Sequence, residues 1–396
     1  METTLIIIFW ILLAIVVYTY LGYGAALFIT LKIKRLLKPD KEKKQLPKDK
    51  SQYPDVTLMI CAYNEESVVE EKMANIRALD YPKDKLCVMW VTDGSTDDTN
   101  ALLSAYPEVK LVFSPERLGK ANAMQHGLKE NKNEYVVFTD ANTMLNKEAI
   151  TEVMRLFMDP SVGCVSGEKR VMARNKGQTA AQGEGMYWKY ESKLKQWDSE
   201  LYSAMGAAGE LFAVRMSVYK PAPTNALLDD FMVSMNILSQ GYRIAYTSKA
   251  YAMEFGSANM REESKRKRRI AAGGLQSTWW LRGMMNPLND ARVTFLFVSH
   301  RVLRWTIAPL SLLLLIPLNA WLVAIGAGTL YEAIFIAQLL FYACALGGYA
   351  ANRLGRPNKL LNLPYYFLFM NLNVFYGIAY LTEHHQAGTW EKAKRG

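Results

Sequence analysis

Hydrophobic and polar positions vary along this chain on two scales. On the long scale, four stretches carry no charged residue: 3–31, 305–331, 333–352 and 360–382. Each is long enough for the roughly 20 apolar residues that cross a bilayer as a helix. The first holds "LIIIFWILLAIVVYTYLGYGAALFI", which is too long for the apolar part of a cleaved leader. No basic segment precedes it and no small-residue cleavage site ends it. On the short scale, between 54 and 250, brief β-rich apolar runs take turns with segments of helical period. The pattern predicts strands at 56–63, 86–93, 109–114, 135–140 and 162–167. Helices are predicted over "EESVVEEKMANIRAL", "DDTNALLSAY" and "GKANAMQHGLKE".

Strands alternating with helices imply an α/β domain built on a parallel sheet. Ligands of such sheets bind beyond the carboxyl ends of the strands. Polar clusters stand at those ends: "AYNEE" after the first strand, "TDGSTDDT" after the second, "DAN" after the fourth. A packing role predicts no such placement, so three clusters at successive strand ends point to one site. Farther on, "LLDDF" sets two adjacent acids between leucines and the apolar run "FMVSMNIL". By itself that is a helix start, with acid in the first turn. Both acids are nevertheless costly to bury unless they have work to do.

Charge changes the picture in one respect. The net charge is +10, but it is concentrated. "KIKRLLKPDKEKKQLPKDK", directly after the first apolar run, holds nine Lys/Arg against three acids, and "REESKRKRR" (261–269) is a second basic run. These read as sites for anionic headgroups or phosphates, not for nucleic acid. By the positive-inside rule the first run ends in the cytoplasm, and residues 32–300 lie on that side of a cell-membrane, multi-pass protein. Four spans would return the basic tail "TWEKAKRG" to the outside. The alternative is a re-entrant or interfacial last run, which contains two Asn and a Gly. The cysteines at 61, 87, 164 and 344 are scattered without metal-ligand spacing.

The ordered set "AYNEE", "TDGSTDDT", "LGKANAMQHGL", "TDANT", "GCVSGEKR", "GAAGELFAVR", "LLDDF" and "KRKRRIAAGG" resembles the membrane-embedded family 2 glycosyltransferases. These include the cellulose, hyaluronan, chitin and poly-N-acetylglucosamine synthases. The resemblance implies a GT-A-type, Rossmann-like α/β domain over 54–260. Around it would lie a transmembrane helix at 1–31, a basic linker at 32–53, interfacial helices at 261–300 and a C-terminal membrane region at 301–396.

It also implies the chemistry. Ala62, Tyr63, Glu65 and Asp93 would surround the nucleotide of a UDP-sugar donor, and Lys120 would face the donor or its phosphates. "TDAN" takes the place of the family's D-x-D, so Asp140, with Asn142 as a weaker oxygen ligand, would hold Mg²⁺ or Mn²⁺. Asp230 would deprotonate the acceptor hydroxyl, with Asp229 holding the local geometry. Two acids this close push one pKa upward. Gly206, Gly209 and Glu210 would border the acceptor. Arg269 would meet the diphosphate, with Arg266 or Arg268 nearby as charge.

One departure stands out: where processive relatives carry Trp after that Arg, this chain has Ile270. Trp279 and Trp280, about two to three helical turns on, are read as membrane-interface anchors. His300, Arg304 and Trp305 in "SHRVLRW" are given the same anchoring role, and His384 and His385 are not read as metal ligands. The function implied is inverting transfer from a UDP-sugar (glucose or N-acetylglucosamine type) that builds a β-linked polysaccharide. Two alternatives stay open: a single transfer to a lipid-linked acceptor, or a non-catalytic nucleotide-sugar-binding subunit of a secretion complex.

Overall fold

The computed structural model describes residues 2–37, 46–172, 179–356 and 358–383, with backbone only for 179–184. The basic linker between 38 and 45, the paired histidines 384–385 and the tail "TWEKAKRG" lie outside the described residues. The chain opens with α1 (Glu2–Val17), which continues through a π-helical turn (Tyr18–Gly22) into α2 (Tyr23–Leu37). There follow β1 (Val56–Ala62), α3 (Glu66–Arg77), β2 (Leu86–Asp93), α4 (Thr99–Ser104), β3 (Val109–Ser114), α5 (Lys120–Lys129) and β4 (Tyr135–Asp140). Next come β5 (Met144–Leu145), α6 (Ala149–Phe157), β6 (Val162–Met172), α7 (Thr179–Leu201), β7 (Leu211–Arg215), α8 (Asp229–Leu238) and β8 (Arg243–Phe255). The C-terminal part is helical: α9 (Met260–Trp280), α10 (Pro287–Phe297), the single turn α11 (Leu303–Trp305), α12 (Ile307–Ala324), α13 (Thr329–Arg353) and α14 (Lys359–Glu383).

The eight strands form one sheet in the order β3-β2-β1-β4-β7-β6-β8-β5. The predicted strands all form, and β1 to β4 pair in parallel. The all-parallel expectation fails beyond β4, because β7 runs antiparallel to both β4 and β6. β7 comes from "LFAVR", which lies outside the strands predicted from the sequence pattern. Alternation along the strands explains the two-layer core. Leu58, Ile60, Val88 and Trp90 face one side with α3 and α6, while Met59, Met89, Val91 and Phe138 face the other with α5 and α8. Burial on both faces is why these strands read as near-continuous apolar runs.

Three helices are long and apolar enough to cross a membrane among the described residues: the continuous α1–α2 segment, α12 and α13. α1 packs on α12 through Phe9, Leu315 and Leu322, with Tyr331 of α13 against Phe9. The last apolar run, α14, differs because its polar residues are spent on α9. Tyr366 donates to Glu263 at 2.8 Å and the Ser264 hydroxyl to Asn373 at 2.9 Å. A Cβ on Gly377 would lie 2.7 Å from Ala271 of α9, so the two helices meet at backbone distance. Of the two asparagines in this run, Asn373 therefore contacts α9, while Asn371 accepts from the Tyr20 hydroxyl of the first apolar segment.

Candidate active site

Strand order reverses between β1 and β4, the switch point where open α/β sheets bind ligands. Register brings the carboxyl ends together there: Cys61 pairs with Asp140, Ala62 with Thr92 and Asp93 with Ser114. A cavity of about 1260 Å³ opens at this edge, bordered by Ala62, Tyr63, Glu65, Asp93, Lys120, Asp140 and Asn142. Asp93 anchors the floor by accepting from the backbone N–H of Leu118 (2.9 Å) and Gly119 (2.7 Å). The second polar cluster closes onto the first: Asn64, at φ 50°, donates its backbone N–H to the Ser95 hydroxyl oxygen and accepts from Thr96 N–H at 2.8 Å. The Arg117 guanidinium lies 3.9 Å from the centre of the Tyr63 ring. That stack makes a flat wall suited to a nucleobase.

Lys120, at the start of α5, donates to Asp140 Oδ1 at 2.6 Å. Burial alone would depress its pKa, but Asp140, Asp229 and Asp230 hold it above the ordinary lysine value. Among the described residues Asp140 Oδ2 accepts no hydrogen bond, and no three His, Cys, Asp or Glu side chains group into a protein metal cage. A divalent cation bound by one carboxylate, an amide oxygen and the phosphates of a donor requires no such cage. Oδ2 of Asp140 with Asn142 fits that pattern.

The acidic pair opens α8 and faces the same cavity. Asp229 is 6% exposed, and its Oδ2 has no hydrogen-bond partner. Asp230 accepts from Phe231 N–H at 2.8 Å. Burial, followed by the Asp229 charge, pushes the Asp230 carboxyl up to about 6, while Lys120 pulls the other way. Arg269 borders the cavity within electrostatic reach of both acids. The helix-start reading and the chemical reading of "LLDDF" therefore hold together: the helix fixes two carboxylates at the cavity wall.

The three acceptor candidates behave differently. Gly209 does border the cavity, and a Cβ there would come within 3.0 Å of Asp230 Oδ2 and 3.4 Å of Lys120 Nζ. Gly206 does not border it. Its φ of +95° and a Cβ position 2.2 Å from the Phe231 ring make it a packing glycine. Glu210 is at the cavity edge, but its carboxylate is engaged by Lys169 (2.6 Å) and Arg266 (3.3 Å). Burial opposes its ionisation, and those two cations hold it well below the ordinary glutamate range.

The same network corrects the reading of 261–269 as a headgroup patch. Arg266 and Lys267 are buried and paired with Glu210, Glu254 and Glu263, so two of the run's six basic residues turn inward. "AAGG" follows because α9 must let its neighbours close in. A Cβ on Gly273 would meet Leu228 at 2.6 Å, and one on Gly274 would meet Trp305 at 2.4 Å.

"SHRVLRW" is the larger correction. It is no set of headgroup anchors. His300 is fully buried between Asp198, on Nδ1, and Glu191, 3.2 Å from Nε2. Arg301 pairs with Glu191 at 2.8 Å and Arg304 with its other oxygen at 3.2 Å. Trp305 packs edge-on to Phe231, with ring centres 5.3 Å apart, and borders the cavity. Trp279, by contrast, is 67% exposed, and neither it nor Trp280 reaches the cavity.

Sequence reading also missed Arg117 and Lys72. Lys72 lies fully buried under the "TDANT" loop, donating to the Thr143 carbonyl at 2.5 Å, and burial pushes it down to about 7. Nothing in "EEKMANI" distinguishes it from a surface helix lysine.

Past Trp305 the cavity wall becomes apolar. Val16, Val17 and Leu21 of the first membrane segment, Phe341 of α13, and Phe367 and Met370 of α14 line it. One cavity thus joins the strand ends to the membrane helices.

Comparison with known proteins agrees with this architecture. The profile of the family described as "Glycosyltransferase like family 2" matches residues 54–273. Poly-beta-1,6-N-acetyl-D-glucosamine synthase of Staphylococcus aureus is 29% identical over 230 residues, 55% of this chain and 54% of the relative. The Staphylococcus epidermidis synthase of the same name is 24% identical over 231 residues, 56% and 55% of the two chains. The chain thus spans about half the length of the curated relatives it matches. A solved mannosyltransferase from Pyrobaculum calidifontis, in complex with GDP-Man and Mn2+, superposes with a TM-score of 0.69 at 24% identity. That match covers 95% of this chain and 99% of the other, and it identifies the fold as GT-A-like. With its profile match running from β1 into α9, across the strand-end site and the acid pair, this chain belongs to glycosyltransferase family 2.

Proposed function

We propose that this chain transfers a hexose from a nucleoside-diphosphate sugar, with inversion, to a hydroxyl acceptor that enters from the membrane side of the cavity. The observation that carries the reading is the position of Asp230. It stands between the Lys120–Asp140 pair at the strand ends and the apolar wall of α1, α13 and α14. The nucleobase would lie against Tyr63 and Arg117, and the ribose near Glu65 and Asp93. Lys120 and Arg269 would carry the charge of the diphosphate. Asp140 and Asn142 would hold Mg²⁺ or Mn²⁺, which when bound supplies charge neutralisation to the leaving group.

Asp230 takes the proton of the acceptor hydroxyl as that oxygen bonds to the anomeric carbon. The bond from that carbon to the diphosphate oxygen breaks on the opposite side, and the nucleoside diphosphate departs. An α-linked donor therefore gives a β-linked product. A base with a pKa near 6 is ionised at neutral pH yet basic enough to share a proton in the transition state.

A second reading, synthesis of a β-linked polysaccharide from a UDP-sugar, is favoured by the printed name of the staphylococcal relatives. Trp305 supports it too, since its ring borders the cavity and could supply the aromatic surface absent at Ile270. On either reading the catalytic domain is on the cytoplasmic side, in keeping with the basic residues after the first apolar run.

The test uses detergent-purified full chain with UDP-glucose, UDP-N-acetylglucosamine and GDP-mannose, with and without Mn²⁺, plus membrane lipid extract. We expect release of nucleoside diphosphate from one donor, lost on chelation, and a β-anomeric signal in the product. An α-linked product would overturn inversion, and transfer to water-soluble oligosaccharide alone would overturn membrane-side entry. A single lipid-extractable product supports the first reading, and a polymer ladder the second.

A further inference from the structure

Beyond Asp230, the cavity passes a group of cations before its wall turns apolar. Lys195, on α7, is 4% exposed and lines the cavity. It makes no hydrogen bond or ion pair among the described residues; the Trp188 ring lies 5.9 Å away, and Arg301, Glu191, Asp230 and Glu210 are within electrostatic reach. Arg304 lines the cavity as well. Its Nη1 reaches Glu191, while its Nε and Nη2 are buried without partners. Arg301 completes the group, held by Glu191 and by the Met205 carbonyl at 2.7 Å.

Arg301 and Arg304 share the carboxylate of Glu191, and Asp198 is committed to His300 and to Tyr23. Two buried guanidinium nitrogens without partners, beside a lysine that lines the cavity, are costly unless an anion completes them. Burial, followed by the Arg301 charge, pushes Lys195 down to about 8, while Glu191, Asp230 and Glu210 pull the other way.

What lies on either side of this group identifies the anion. On the strand side is Asp230, which interacts electrostatically with Lys195. On the far side, Arg304 neighbours Tyr20, whose hydroxyl bonds Asn371 and whose ring packs on Phe367 at 4.7 Å. Tyr190 donates to the Tyr20 carbonyl at 2.7 Å, so α7 is tied to the first membrane segment here. An anion at Lys195 and Arg304 therefore has a base on one side and membrane-helix side chains on the other.

We propose that Lys195 and Arg304 form a phosphate subsite for a lipid-linked acceptor, whose hydroxyl is offered to Asp230 while its hydrocarbon tail lies between α1, α13 and α14. This deepens, and rests on, the membrane-side entry proposed above. The donor's own diphosphate is assigned above to Lys120 and Arg269, so the second cationic group serves a second anion.

The experiment measures equilibrium binding of hexadecyl phosphate, hexadecanol and inorganic phosphate to full-length protein in a neutral detergent. Binding of UDP and GDP is followed in the same preparations. We expect hexadecyl phosphate to bind at least about tenfold more tightly than either half-ligand, since head and tail act together. Lys195→Met and Arg304→Gln should each weaken it by about tenfold or more. Lys195→Arg should retain it, and nucleotide binding should be unchanged in all three, which also reports their folding.

Equal affinity for hexadecanol would overturn the phosphate subsite, and equal affinity for inorganic phosphate would overturn the lipid assignment. Full retention of hexadecyl phosphate by both Lys195→Met and Arg304→Gln would overturn these residues as its ligands. Should neither nucleotide bind while hexadecyl phosphate does, the donor reading fails and the subsite stands. The converse sinks the subsite alone.

Discussion

The two ends of the cavity are built by different means. The strand end is assembled from short motifs, each at the carboxyl end of its own parallel strand, and sheet register alone brings them together. The membrane end is assembled from α7 and the segment 300–305, about a hundred residues apart, joined by buried charges: His300 with Asp198, and Arg301 and Arg304 with Glu191. The first end uses backbone geometry to position chemistry. The second uses side-chain charges to hold the architecture, and the few left over are what a ligand can find. Mutations at the first should therefore cost rate, and at the second stability.

The largest effect belongs to Asp230. Asp230→Asn should lower the transfer rate by about a thousandfold or more, at the upper end for a general base. Its stability should move the other way. Because the folded carboxyl sits near 6, above the ordinary aspartate value, folding favours the protonated form, and stability falls as pH rises from about 4 through 6. The Asn side chain is spared that loss, so the variant should be about 1–3 kcal/mol more stable at neutral pH. Rate of the parent protein should fall about tenfold per pH unit below about 6. Chemical unfolding and initial rates across pH 4–8 check both. A variant that lost stability along with rate would mean that the acid pair is structural.

Glu191→Gln sets the opposite case. It strips Arg301 and Arg304 of their carboxylate, and breaking a buried pair in this way costs about 3–5 kcal/mol. Burial opposes the ionised form, but Arg301, His300 and Arg304 hold the Glu191 carboxyl well below its ordinary value. Its contribution is therefore complete above about pH 4.5 and lost as pH falls toward the lowered value. The melting temperature of the variant should drop strongly at pH 7 and converge on the parent in acid. If the melting temperature held while donor turnover collapsed, the membrane end would be chemical, and the comparison would fail.

These two ends also differ in how far sequence alone reveals them. The strand-end site was legible because its motifs are contiguous and each follows an apolar run of strand length. Asp229, Asp230, Lys120 and Asp140 could be named before any contact was known. β7 and β8 were missed because "GELFAVR" and "RIAYTS" lie beside glycines and polar residues that read as loop. His300, Arg304 and Trp305 were misread for a different reason. Basic and aromatic residues before an apolar run have a common use at the bilayer surface. Only tertiary contact reveals that α7 supplies Glu191 and Asp198 opposite them.

The paired glycines sharpen the comparison within one loop. Gly206→Ala must place a methyl inside the Phe231 ring contact, at a left-handed φ that suits glycine. It should cost about 1–3 kcal/mol of stability. Gly209→Ala meets Asp230 Oδ2 at 3.0 Å, with no positive φ to strain it. Its fold should survive within about 1 kcal/mol, while turnover falls about tenfold, because the methyl occupies the approach to the base. Thermal melts and kcat for the two variants, measured together, separate a packing glycine from one that leaves room for substrate.

The smallest effect tests the nucleotide wall. Arg117 covers the Tyr63 ring at 3.9 Å, and a stack of this kind is worth about 0.5–1 kcal/mol when exposed and about 2 when desolvated. Arg117→Ala should therefore raise the donor KM by about 3- to 10-fold. The kcat should hardly change, because the guanidinium stands at the base and not at the reacting carbon. Arg117→Lys should recover little of the loss, since an ammonium keeps the charge without the planar face. If Lys restored the KM fully, the contact would be purely electrostatic, and the wall would be recognising phosphate instead of a flat ring. The strand end would then resemble the membrane end in using loose charge to hold its ligand, and the contrast between the two would narrow to their distance from the bilayer.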